Sequence, residues 1–160
     1  MSDKIDKLIK VIREKWVPEF QLQYATNAPW TPFTKKITES KVTLISTAGV
    51  YVKGETPFTD HYGLGDPSYR EIPLETPLSQ LDHFHEHYDH TNAYKDINCI
   101  FPIERLKELV DQKFIKSLTP NHYSFMGYVP IPHPLTTRTT PDLVKKLVMQ
   151  GTDLAILVPT

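Results

Sequence analysis

"KVTLISTAGVYV", residues 41–52, is the stretch on which the fold turns. It is β-branched and nearly continuous in apolar residues until Gly49. Such a run suits a strand covered on both faces, followed by a glycine-containing turn. "DLAILVP" (153–159) repeats the pattern and predicts a second strongly buried strand. Shorter strands are expected near 69–72 and within 116–127, the latter closed by Gly127.

Helices fall between these runs. Residues 3–17 place Ile5, Leu8, Ile9, Ile12 and Trp16 at helical spacing, with Ser2 or Asp3 as cap and Pro18 as stop. Pro102 opens a helix whose apolar face is Ile103, Leu106, Leu109 and Val110. Thr140 is expected to cap a third helix, with Pro141 in its first turn, Leu143, Val144, Leu147 and Val148 facing inward, and Gly151 at its end. The prolines of 128–139 predict a loop. Helices alternating with apolar strands give an α/β class, a flavodoxin-like, mostly parallel sheet with flanking helices. The expected organisation is a single domain over 1–160, with an N-terminal helix and proline-containing linker over 1–40 and a core over 41–160. A buried parallel strand normally feeds a crossover helix and a neighbour. The last residue, Thr160, follows a strand directly, so the fold reads as truncated after its fourth strand. That leaves an unpaired edge or uncovered face expected near 153–160.

Bulk properties exclude several classes. A net charge of −1 provides no basic field for nucleic acid or a membrane surface. The single cysteine, Cys99, rules out a disulfide framework and fits a reducing cytoplasm. No apolar run approaches the roughly 20 residues of a membrane span, and Met1 is followed by a charged helical pattern instead of a signal peptide.

"HEHYDH" (85–90) has the spacing H-x-H-x-D-H. His85, His87, Asp89 and His90 match the ligand pattern of zinc-dependent hydrolases of the metallo-β-lactamase type, in which zinc activates a water. The context argues against it. The motif follows the polar "PLSQLDHF", with His83 just upstream, and the chain beyond offers only His122 and His133 as further histidines. Solvated or hydrogen-bonded loop histidines are the alternative.

Five segments in order resemble the selenoprotein B subunit family of the glycine, sarcosine, betaine and D-proline reductases. They are "PWTPFTKKITESKVTLISTAGVYVK", "GDPSYREIP", "HEHYDHTNAYKDINCIFPIERLKEL", "HYSFMGYVP" and "DLAILVPT". The resemblance implies an oxidoreductase subunit that reductively cleaves a C–N bond of a small amine or amino acid. Its nucleophile would be a selenocysteine, or a cysteine, placed just after the strand that ends at Thr160. It also implies a pyruvoyl-containing partner subunit, which activates the amine, and a thioredoxin-like reductant. No other cofactor is expected in the chain. Because selenocysteine is encoded by UGA, the expectation is a reading interrupted at an in-frame UGA after codon 160, testable by sequencing the DNA beyond it. Which amine is reduced stays open. So does a non-catalytic binding or regulatory module on the same fold, as does the zinc hydrolase.

In this frame His85, His87 and Asp89 are candidates for a histidine–carboxylate pair that donates a proton to the departing amine; fixing a loop is the other reading. Thr47 ends the first strand at the expected site rim, where an ordinary turn serves equally. Arg70 has the planar fork to hold a substrate carboxylate, or forms an ion pair. Asp96 and Asn98 belong to the family motif as substrate contacts, or else cap and turn the chain. Cys99 precedes a helix, a setting that favours a thiolate, although a lone cysteine in "NCIF" also reads as a small buried hydrophobe. Tyr88, Tyr94 and Trp30 read as packing.

Overall fold

A computed structural model of the chain describes residues 3–15, 18–21, 31–60, 62–84 and 89–160. It divides into two compact units, Met1–Thr34 and Lys35–Thr160. In the first, helix α1 covers Asp3–Lys15. Asp3 and Asp6 occupy its first turn and Arg13 and Lys15 its last, opposite in sign to the dipole ends they meet. Arg13 Nε donates to the Phe20 carbonyl at 2.8 Å, tying down the chain after the helix. None of its described residues is buried. Ser2, Trp16 and Trp30 lie outside the described residues.

The second unit is built on β1 (Lys41–Ser46). The ribbon strands β2 (Val50–Val52) and β4 (Leu81–His83) flank β3 (Tyr69–Pro73) in sequence. After them come α2 (Thr91–Lys95), α3 (Ile103–Asp111), β5 (Ser117–Leu118), β6 (Asn121–Phe125), α4 (Thr140–Met149) and β7 (Leu154–Val158). On one side β1 runs parallel to β7 from Val42↔Leu154 to Ser46↔Val158. On the other it pairs in parallel first with β5 and then with β6, and β3 closes that edge antiparallel to β6. The class is therefore α/β with a mostly parallel sheet, consistent with a flavodoxin-like arrangement.

Thr119 and Pro120 separate β5 from β6, since proline cannot donate to a ladder. Just beyond this break the sheet uses a side chain. The Leu44 amide donates to His122 Nδ1 at 3.0 Å. One face of the sheet holds the main core, in which Leu44, Val50 and Ile72 pack with Phe101, Ile103 and Leu106 of α3 and its approach. Each fully buried aliphatic side chain there contributes roughly 1.5–3 kcal/mol.

The stretch 41–52 divides into two strands at Thr47–Gly49. Gly49 has φ +68°, and a Cβ there would overlap the Phe84 carbonyl oxygen. This close approach lets β2 leave the main sheet and pair antiparallel with β4, from Val50↔His83 to Val52↔Leu81.

Three expectations need correction. Residues 128–139 are not loop throughout. The chain turns helical at His133, passes through a π-helical turn at Leu135–Thr139 and runs on to Met149. Thr140 thus lies inside a helix and caps nothing. Pro141 explains the wide turn, because its ring excludes the i−4 carbonyl and it has no N–H to give. In α4 only Leu143 is buried, while Val144 and Val148 are 49% and 72% exposed. The helix meets the sheet largely through polar residues. Lys146 pairs with Glu71 at 2.6 Å, the Tyr69 hydroxyl donates to Asp142, and Gln150 Nε2 donates to the Tyr123 hydroxyl. Lastly, β7 is half exposed, with Leu157 at 70%, because it pairs only with β1 among the described strands.

Candidate functional site

The parallel strands β1, β6 and β7 all point their carboxyl ends to one rim. Open α/β sheets take their ligands there, because loops diverge and leave a crevice. Thr47, directly after β1, is held there twice. Its N–H donates to the Val158 carbonyl at 3.0 Å, and its Oγ1 accepts the Thr160 N–H at 2.9 Å. Beside it the buried Ser46 Oγ donates to the Ile100 carbonyl at 2.7 Å and accepts the Ala48 N–H. The Ser124 Oγ accepts the Val50 N–H at 2.8 Å, fixing the exit into the ribbon. Thr47, Thr160 and the backbone just after Cys99 therefore meet around the end of β1.

Cys99 is exposed, which corrects the reading of it as a small buried hydrophobe. It ends a single 3₁₀ turn, Ile97–Cys99. Asp96 and Asn98 build that turn. Asp96 Oδ1 accepts both the backbone N–H and the side-chain amide of Asn98 at 2.9 Å, and Asn98 Oδ1 accepts the Glu104 N–H in the first turn of α3. The Asn98 backbone N–H, then its side chain, lower the Asp96 pKa by favouring the carboxylate. Both side chains act here as caps.

Of the histidine cluster, His85 and His87 lie outside the described residues, as does Tyr88. Asp89 sits just ahead of α2, where its Oδ1 accepts the Thr91 N–H at 2.9 Å and the Thr91 hydroxyl at 2.6 Å. These bonds hold its pKa below the usual carboxylate range. His90 meets His83. Their rings stack with centroids 4.9 Å apart, and His83 Nε2 lies 2.7 Å from His90 Nδ1. Tyr94 leans on both rings while remaining 74% exposed. Burial, then the neighbouring His90, lowers the His83 pKa, so His83 is neutral near pH 7. One nitrogen of such a contact carries the proton and the other accepts it, so the pair can relay a proton. His83 was legible as a nearby histidine but not as a partner, because the contact joins the end of β4 to the residue ahead of α2. The ribbon ties this pair to the rim, since Phe84, next to His83, donates its N–H to the Gly49 carbonyl at 3.0 Å. Among the described residues no three histidine, cysteine or acidic side chains converge on a metal position. Asp89 and His90, from the alternative zinc set, engage Thr91 and His83.

Arg70 does something other than wait for a carboxylate. Its five N–H groups are directed at the carbonyls of Thr56, Pro57 and Tyr69, at Ser68 Oγ and at Asp66 Oδ2, with bonds of 2.6–3.2 Å. The guanidinium also lies 4.1 Å from the centroid of the buried Phe58 ring. Burial opposes ionisation of Asp66, but bonds from Ser68 and the charge of Arg70 outweigh it and lower the pKa. Arg70 thus clamps the 54–60 loop to β3.

No helix of the described residues is long and apolar enough to cross a membrane. Two comparisons bear on identity. The family described as "Glycine/sarcosine/betaine reductase selenoprotein B (GRDB)" matches residues 2–160. The D-proline reductase subunit gamma of Acetoanaerobium sticklandii is 34% identical over 128 residues, which cover 80% of this chain and 52% of the relative. The chain therefore spans about half the length of the curated relative it matches. No solved structure matches it. With five ordered motifs in the sequence and a family match along nearly its whole length, the chain belongs to the glycine/sarcosine/betaine reductase selenoprotein B family.

Proposed function

We propose that the chain belongs to an amino-acid or amine reductase subunit, acting in the cytoplasm, whose nucleophile follows Thr160 and is absent from these 160 residues. The observation that carries this reading is the Thr160 N–H on Thr47 Oγ1, which holds the end of β7 at the carboxyl rim of the sheet. A selenocysteine or cysteine following that position enters the rim beside Thr47. In the reaction its selenolate or thiolate attacks the substrate carbon that bears nitrogen. A carbon–chalcogen bond forms, the C–N bond breaks, and the electron pair leaves on nitrogen, which takes a proton. A thiol then attacks the chalcogen, the substrate carbon takes a proton, and a thioredoxin-like dithiol restores the nucleophile. The proton for the departing amine is assigned to the histidine cluster, with the His83–His90 pair as a relay. A pyruvoyl-containing partner subunit supplies activation of the amine.

The relative's name makes D-proline the first substrate to try, and the family description adds glycine, sarcosine and betaine. The test is to purify the protein with its native partners through a tag on this chain. Dithiol-dependent C–N cleavage of at least one of these four compounds is expected. A complex that cleaves none of them defeats the reading.

A further inference from the structure

A second feature, a charged cleft, lies at the same rim. Tyr69 at the start of β3 pairs with Phe125 at the end of β6, so β3 begins at the carboxyl rim. Helix α4 also begins there, because its last turn lies at the opposite end, where Lys41 Nζ donates to the Gln150 carbonyl at 3.1 Å. Between them lies an open cleft of about 600 Å³, lined by Ser68, Tyr69, Arg138, Asp142, Lys145 and two threonines of the π-helical turn, Thr137 and Thr139.

The charges in this cleft do not balance. Lys146, 5.3 Å from the Tyr69 ring centroid, is matched by Glu71. Asp142 accepts the Tyr69 hydroxyl at 2.6 Å and is the cleft's one lining anion. Arg138 and Lys145 are two cations, and neither forms an ion pair or side-chain hydrogen bond among the described residues. The surplus is one positive charge. Pro141 widens the preceding turn, and Arg138 belongs to that wide turn, a device that recurs at functional sites. Since β3 lies two strands from β1, the cleft is roughly 10 Å from Thr47. An arginine side chain and a small amino acid together span that gap.

We propose that this cleft is the carboxylate subsite for a small amino-acid substrate, with Arg138 and Lys145 holding the carboxylate. The inference rests on the reading of the chain as an amino-acid reductase subunit, and it replaces Arg70 in that role. An α-carboxylate neutralises the surplus charge, and a guanidinium binds it through two parallel N–H bonds. Asp142 and the Tyr69 ring then face the nitrogen-bearing end.

The experiment is a ¹H–¹⁵N NMR titration of the 160-residue chain with D-proline, and with pyrrolidine, which lacks the carboxylate. D-Proline is expected to shift the amides of Tyr69 and Thr137–Lys145, and pyrrolidine is not. The doubly substituted R138Q/K145Q chain, whose changes are on the surface and whose remaining spectrum should overlay, is expected to bind D-proline about tenfold more weakly or worse. No shift at those amides, equal shifts with pyrrolidine, or unchanged binding by the double variant overturns the inference. Binding is read here without turnover. A chain that binds D-proline in the cleft while its complex cleaves nothing overturns only the reductase reading. A complex that turns over D-proline with KM unchanged in R138Q/K145Q overturns only the subsite.

Discussion

Replacing His122 with asparagine isolates a single buried imidazole as a source of acid sensitivity. His122 is 0% exposed, between β1 and β3 in the sheet. Its Nδ1 accepts the Leu44 N–H, so the proton sits on Nε2, which has no hydrogen-bond partner among the described residues. Burial first, and the charge of Lys107 second, pull its pKa from 6.5 to about 4. The unfolded chain therefore binds a proton that the folded chain refuses between those values. Stability is fully present above about pH 6.5 and falls as pH drops toward 4. At about pH 4.5 the loss from this group is roughly 2.5 kcal/mol relative to about pH 7.5. In His122→Asn the side-chain oxygen still accepts the Leu44 N–H, but nothing titrates. The other shifted groups are common to both proteins and cancel in the difference. Urea denaturation at several pH values between those limits measures it. The variant is expected to start less stable, because it leaves a small void, and to lose about 2.5 kcal/mol less on acidification. Parallel stability curves for the two proteins would show that His122 is not a source of the acid sensitivity.

Gly49→Ala puts a side chain at φ +68° against the Phe84 carbonyl and is expected to cost more than about 2 kcal/mol in urea denaturation. Gly54→Ala, at φ +91° with open space around it, is the control and is expected to cost roughly 1–2 kcal/mol. Arg70→Lys keeps the charge but loses the planar fork that reaches five acceptors; a loss of roughly 2–3 kcal/mol and faster proteolytic cutting within 54–60 are expected, and unchanged cutting counts against the clamp.

The sheet was legible where the chain carries long apolar runs. Residues 41–46 and 154–158 announce themselves through consecutive valine, isoleucine and leucine; the run of 154–158 overstates how deeply β7 is buried, while the unpaired edge expected near 153–160 is present among the described strands, with Leu157 uncovered. The ribbon of β2 and β4 was hidden because three residues carry no period. Its trace was Gly49, read as a turn without the close approach to Phe84 that requires it. The prolines of 128–139 suggest breakers throughout, yet Pro134 stands in the first helical residues, and Pro141, expected in a first turn, lies further inside a helix that opens into a wide turn ahead of it. At the site, Thr47 was placeable from the strand's end. The bond that gives it meaning joins residues 113 positions apart. Arg70 looked available because sequence shows a guanidinium but not the carbonyls that consume it. The His83–His90 contact was equally invisible, since the path of residues 84–89 that brings the end of β4 against the residue ahead of α2 has no period to read.

Alkylation of the protein in its native assembly probes the proposed position of the nucleophile. The protein, as the cell makes it, is treated with iodoacetate with and without substrate, and the labelled peptide is identified by mass spectrometry. A substrate-protected label is expected on a selenocysteine or cysteine that directly follows Thr160, with loss of turnover in step. A label on Cys99 alone that tracks the loss of turnover, with the peptide following Thr160 unmodified, would contradict it.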